Sequence, residues 1–221
     1  MKLWFFPETG ETAMGIRRMF GYTAVIAISQ RGVSFSIMPE TPIFMNDQHV
    51  EQDHETFYGL GIAPMRDPRD PSASGPIRSG ISLGRILRRG EMMGPEHDPH
   101  LFIVTPNTDA SARERGIQTP LRWQQKVEVL SQSIEELSGQ RPQVIGYERR
   151  PRYETTGQFP TQTRPYAGWG ARAIVEVDMN DDFLEVPGES GAADSISLAS
   201  WRLWVEDEPI HAETFCAPYD P

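Results

Sequence analysis

A single cysteine, Cys216, stands in 221 residues, so no internal disulfide forms and a secreted, disulfide-stapled scaffold is excluded. Lysine is almost as scarce: Lys2 and Lys126 stand against nineteen arginines. A Walker-type phosphate loop needs a lysine at the end of a glycine-rich turn, and neither lysine follows a glycine. That removes the P-loop nucleotide hydrolases and leaves little room for Schiff-base chemistry. Long apolar runs are missing as well. No stretch approaches the roughly 20 apolar residues of a membrane helix, and Leu3 to Phe6 before Pro7 is too short for the apolar stretch of a signal peptide. The expected location is the cytoplasm, or a particle assembled there, with no membrane contact and no cofactor.

Near matches to other motifs fail on context. Gly168 to Ala173 fits a relaxed dinucleotide fingerprint, but Pro165-Tyr166 precedes it and a strand pattern follows where a helix is required. Gly188-Glu189-Ser190-Gly191 falls one residue short of a nucleophile elbow and lacks a strong strand leading into it. Cys216 lies five residues after His211 among acids, which disfavour a reactive thiolate.

What is present is segregated charge. The net charge is −10, and from Arg172 to Pro221 twelve acids face only Arg172 and Arg202, so the whole imbalance sits in that tail. Two stretches lean basic. Six arginines between Gly61 and Gly90 face Asp67 and Asp70, and six between Arg141 and Arg172 face Glu148 and Glu154. Arginine's planar fork suits fixed, bidentate contacts to carboxylates better than lysine does, although a run of charge is also what an ordinary solvated surface carries.

Periodicity predicts an α+β fold: a mainly antiparallel sheet packed by one prominent amphipathic helix at about 120–138, in a single domain covering 1–221. Tyr22–Ser29 and Val33–Ile37, joined through Gln30-Arg31-Gly32, read as a hairpin. Leu101–Val104, Gln143–Tyr147, Ala171–Met179 and Ile196–Val205 read as further strands, the last with Trp201 and Trp204 on opposite faces. In the helix, Trp123, Val127, Leu130, Ile134 and Leu137 form one stripe. Thr119 is its expected cap, Pro120 its first residue and Gly139 its left-handed terminator. A short helix is expected around Met14 to Phe20 and a short basic helix or turn at Ile81–Arg89. Prolines and glycines make about 39–99 an irregular insertion, and about 148–170 an extended arm or hairpin.

Four of the five histidines fall in two acidic windows, His49 to Glu55 and Glu96 to His100. Imidazole with carboxylate binds transition metals or runs acid and base chemistry, so His49, Asp53, His54, His97 and His100 are candidate metal ligands of a metal-dependent hydrolase. Their spacing matches no known signature, and solvated loops carry such residues incidentally. The leading expectation is instead non-enzymatic. Arg149, Arg150, Arg152, Tyr153, Arg164, Tyr166 and Trp169 interleave arginine with aromatics, the residue types enriched in binding hot spots. Together with the acidic tail, they point to a structural protein that meets copies of itself or other subunits, acid to base, in a virion-like or other multi-subunit particle. Single-stranded nucleic acid fits such an arm less well in so acidic a chain. An acidic binding or antagonist protein is the third reading.

Overall fold

The computed structural model describes residues 1–17, 19, 21–67, 69, 73, 82–89, 93–148, 172–187 and 193–217. Among these the elements run β1 (Lys2–Phe5), β2 (Glu11–Ile16), β3 (Tyr22–Ser29), β4 (Gly32–Pro39), α1 (His54–Phe57), α2 (Ala63–Arg66) and α3 (Leu83–Arg89). They continue with β5 (His100–Pro106), α4 (Ala110–Glu114), α5 (Gln124–Ser138), β6 (Gln143–Tyr147), β7 (Ala173–Pro187), β8 (Ala193–Val205) and β9 (Glu208–Cys216). The fold is α+β and mainly antiparallel. One sheet has the order β1-β4-β3-β5-β6, with β5 and β6 its parallel pair, and a second has the order β2-β7-β8-β9.

The first sheet is covered on both faces. Ala24, Ile26, Ile28, Phe35, Phe102 and Val104 face the second sheet and meet Val175, Val177, Trp201 and Leu203 in one core. On the opposite face Val25, Ala27, Leu101 and Ile103 meet Phe44, Phe57, Leu83, Trp123, Leu130 and Ile134 in another. Layers of helix, sheet and sheet result. β3 therefore reads as a continuous apolar run, buried at every position after Tyr22, as a strand sandwiched on both sides must. The hairpin expected there is present, with Ser29 opposite Gly32 across the two-residue loop Gln30-Arg31.

The segment expected to be irregular from residue 39 supplies much of the helical layer. α1 continues through a π-helical turn at Tyr58–Ile62 into α2, burying Phe57, Ile62 and Met65. Within 81–89 the basic segment forms α3. Among the described residues no helix is long and apolar enough to cross a membrane.

Two local expectations are corrected. Met14 belongs to a strand, because β2 pairs antiparallel with β7 and Gly15 lets the backbones close: a Cβ there would lie 2.4 Å from the Ala173 carbonyl. The prominent helix begins at Gln124 with Trp123 as its N-cap, not at Pro120 behind Thr119. Residues 119–122 are held to the end of β5 instead: Thr108 N–H donates to the Pro120 carbonyl at 2.9 Å and Arg122 N–H to the Pro106 carbonyl at 3.1 Å. The far end is as expected, with Gly139 closing the helix at φ 76°.

A buried polar joint fixes where the helix starts. Glu40 is 2% exposed; its Oε1 accepts from Trp123 Nε1 at 3.0 Å and lies 3.4 Å from Arg122 Nε. Arg122 also meets Asp109 at 3.2 Å. Breaking a buried pair leaves an uncompensated charge in a low-dielectric site, which costs about 3–5 kcal/mol. Glu40→Ala is accordingly expected to lower the urea unfolding midpoint by an equivalent amount, and a loss below about 1 kcal/mol would contradict this account of the joint.

Candidate functional site

β9 carries polar side chains where a sandwich strand normally carries apolar ones. Its register with β8 sets His211 opposite Leu203, Glu213 opposite Trp201 and Phe215 opposite Ala199. Since Ala199, Trp201 and Leu203 all lie in the core between the sheets, their cross-strand partners on the same face point inward too. His100, the first residue of β5, approaches from the other sheet. The donor atoms of His100, His211 and Glu213 all lie within 4.8 Å of one another, and all three residues are half-buried.

Rings fix the arrangement. Trp201 stacks on His211 at 5.0 Å with 20° between the planes, and the two imidazoles lie 4.8 Å apart. Trp201 meets His100 edge-on at 5.4 Å, and Phe102 lies 5.8 Å from His211. His100 Nε2 and Glu213 Oε2 are 2.9 Å apart. Both atoms are shielded from solvent, so the two side chains meet as a buried pair. Asp98 Oδ2 lies 3.9 Å from the same nitrogen, on a side chain that is 62% exposed.

This setting shifts two titrations. Burial pushes the Glu213 carboxyl above its ordinary range; the His100 imidazole pulls it back, the Asp98 charge adds to the rise, and the Trp201 indole lowers it slightly. Burial likewise pushes His211 below the usual imidazole range, and the neighbouring His100 adds to the fall. Two imidazoles and a carboxylate disposed in this way have the chemistry of a transition-metal ligand set.

Of the sequence-derived metal candidates, His100 lies in this cluster and the other four lie elsewhere. His49 sits exposed in a turn at φ 61°. Asp53 caps α1, accepting from Thr56 N–H at 2.7 Å, a bond that holds its carboxyl below the usual range. His54 opens α1 on the exposed surface. His97 ends a 3-10 turn with its Nε2 3.7 Å from Glu96. In the window from His49 to Glu55, Glu51 pairs with Lys126. Arg149, Arg150, Arg152, Tyr153, Arg164, Tyr166 and Trp169 lie outside the described residues. Sequence reasoning missed His211 and Glu213. Their signal is the alternation of His211, Glu213 and Phe215 at period two, obscured because two of these three inward positions are polar and Pro209 falls out of phase at the bulge opposite Trp204.

A second feature lies farther along β8. Residues 182–187 of β7 pair with 193–198 of β8 beyond a register shift between Asp178 and Asp182. β2 pairs with β7 no farther than Asp178, and β9 with β8 no farther than Leu198. Among the described residues this end of β7 and β8 is therefore a two-stranded ribbon running past β2 and β9, with Phe183 63% and Leu184 49% exposed. Neighbouring residues of a strand face opposite ways, so each face of the ribbon presents one of these apolar side chains, with Asp181, Asp182 and Glu185 exposed beside them. At its base the outer face of the second sheet carries a depression of about 430 Å³ bordered by Glu11, Glu176, Asp178 and Arg202.

Comparison with known proteins finds no matching family model, no matching curated protein and no matching solved structure.

The half-exposed cluster and the core beneath it should contribute very differently to stability. Phe102→Ala removes a ring that is 2% exposed, and truncating a buried Phe costs about 3–5 kcal/mol. His211→Ala is expected to cost about 1 kcal/mol or less. Urea unfolding of both variants checks the contrast, and equal losses would make the imidazole a structural keystone.

Proposed function

We propose that the chain is a non-enzymatic subunit of a larger assembly, joined to further copies of itself by its acidic β7–β8 face and ribbon meeting the Arg/aromatic stretch 148–170 of a neighbouring copy. The observation that carries this reading is the ribbon. A two-stranded hairpin on its own is marginally stable in water, and this one exposes an apolar side chain on each face together with a row of acids. Such a ribbon gains stability when a second surface covers it.

Charge argues for the occupant. The region from Arg172 onward holds the entire −10 of the chain, whereas between 149 and 169 Arg149, Arg150, Arg152 and Arg164 interleave with Tyr153, Phe159, Tyr166 and Trp169; the flanking Arg141 and Arg172 pair within the chain, with Glu128 and Asp207, and Tyr147 is buried. Acid against base orients the encounter and rejects like-charged pairings, and a head-to-tail contact of this kind closes into rings or extends into tubes. The outer face of the second sheet, with three acids around its depression and one arginine, enlarges the acidic side of the contact.

Light scattering across a salt series tests the reading. The expected result is a multi-subunit mass at low salt that falls as ionic strength rises, because screening weakens exposed pairs first. Phe183→Ser with Leu184→Ser should shift the mass toward monomer, as should Arg149→Glu, Arg150→Glu and Arg152→Glu together. A monomer at every salt concentration would overturn the proposal. Co-purification with a basic partner of different sequence, without self-association, would favour an antagonist instead.

A further inference from the structure

We infer that His100, His211 and Glu213 form a binding site for a first-row transition-metal dication, Zn²⁺ by the chemistry of its donors, which ties the five-stranded sheet to the four-stranded one. This inference is independent of the assembly reading. Its first support is convergence. β5 of one sheet and β9 of the other bring two imidazoles and a carboxylate to one point, with all donor atoms within 4.8 Å. Zinc bound at about 2.0–2.2 Å by tetrahedral donors spaces them about 3.3 Å apart, so small side-chain rotations complete the set.

The second support is burial. His100 Nε2 and Glu213 Oε2 are shielded from solvent and stand 2.9 Å apart, so a nitrogen donor and an oxygen donor already face one another out of water. A dication between them would take both as ligands. Softness fits as well: two nitrogens and one oxygen, with no thiolate, match zinc or ferrous iron better than Ca²⁺ or Mg²⁺, which take oxygen shells.

The surrounding residues complete the ligand environment. Stacking on Trp201 and the edge of Phe102 hold the His211 ring in place, and orientation of ligand imidazoles by neighbouring groups is the usual way such sites are tuned. Three protein ligands leave a fourth position, as in zinc sites that hold water. Asp98, exposed and 3.9 Å from His100 Nε2, sits beside the cluster as a further carboxylate.

The test uses the full chain, stripped with a chelator and titrated with Zn²⁺ by calorimetry, with metal content measured by mass spectrometry. The expected result is about one ion per chain and a rise in the thermal midpoint on loading, since a ligand that binds only the folded state stabilises it. His211→Gln and Glu213→Gln, each checked for native circular dichroism, should weaken binding by at least about 100-fold, given that loss even of an outer-shell partner costs 10–100-fold. His49→Ala with His54→Ala should leave it unchanged. Absence of binding at about 100 μM Zn²⁺, a concentration far above the needs of a built protein site, would overturn the inference. So would binding that persists in both cluster variants or disappears with the His49 and His54 pair. The mass of the assembly is read separately, so failure here leaves the assembly reading intact and the reverse also holds.

Discussion

Side chains of β3 and β5 pack to both sides of the five-stranded sheet at once: Ile26, Ile28 and Phe102 against the second sheet, Val25, Leu101 and Ile103 against the helices. Apolar area removed from water contributes about 25 cal/mol per Å², and a sheet that is apolar on both faces needs a cover on each. The second sheet supplies one cover and the short helices of 54–66, 83–89 and 124–138 the other. Because the second sheet has only one such obligation, its far face is released from apolar packing and carries Glu11, Glu176, Asp178 and Arg202. The acidity of the carboxyl-terminal region is thus arranged by layer: inward positions of β7 and β8 are apolar, and charges collect outside.

The same constraint decides what was legible in the sequence. The hairpin at 22–37 and the strand at 101–104 were visible because continuous apolar runs have few other uses in a short segment. Trp201 and Trp204 fall on opposite faces as strand alternation requires, Trp201 fully buried and Trp204 donating its indole N–H to Glu176 at 2.8 Å. The start of α5 was misread because Thr119 and Pro120 carry good capping chemistry, yet their backbones are claimed by the end of β5. Tertiary pairing overrode a local preference. Local sequence favours a helix at Met14 for a related reason, since the partner of β2 lies far along the chain in β7 and a window of sequence holds no trace of it.

For the candidate site, sequence alone reached one residue of three. His100 stands in an acidic window that draws attention, but most of that window is turn chemistry, as the capping role of Asp53 shows for its counterpart around residue 50. His211 and Glu213 are polar at two of the inward positions of β9, with Phe215 the buried apolar one, so the period-two signal that identifies a half-buried strand is weak where it matters. Burying imidazole and carboxylate at the rim of a sandwich works against stability unless they are given bonds, and proteins tolerate such local inconsistency chiefly at functional positions. The inward direction of these groups carries more information than their identity, and direction follows only from the register of β8 with β9.

β8 links the two features that stand out from this frame. Its first half forms one strand of the ribbon, with Ser197 opposite Phe183, and its second half backs the cluster, with Trp201 opposite Glu213. Four residues of extended strand separate these positions, about 14 Å at the usual rise. Among the described residues the ribbon beyond residue 182 is a two-stranded ladder touched at Ser197 by the Ala217 N–H, while its root is braced by β2 on one side and β9 on the other. Any bond that ties β9 across to β5 at Glu213 and His100 stiffens that root without touching the tip. An arm rigid at its base and adaptable at its end loses less conformational freedom on docking than one loose throughout, because only the tip remains to be ordered. The polar cluster and the exposed apolar ribbon are therefore placed by one strand, the cluster at the rim of the sandwich near the point where β8 passes beyond β9.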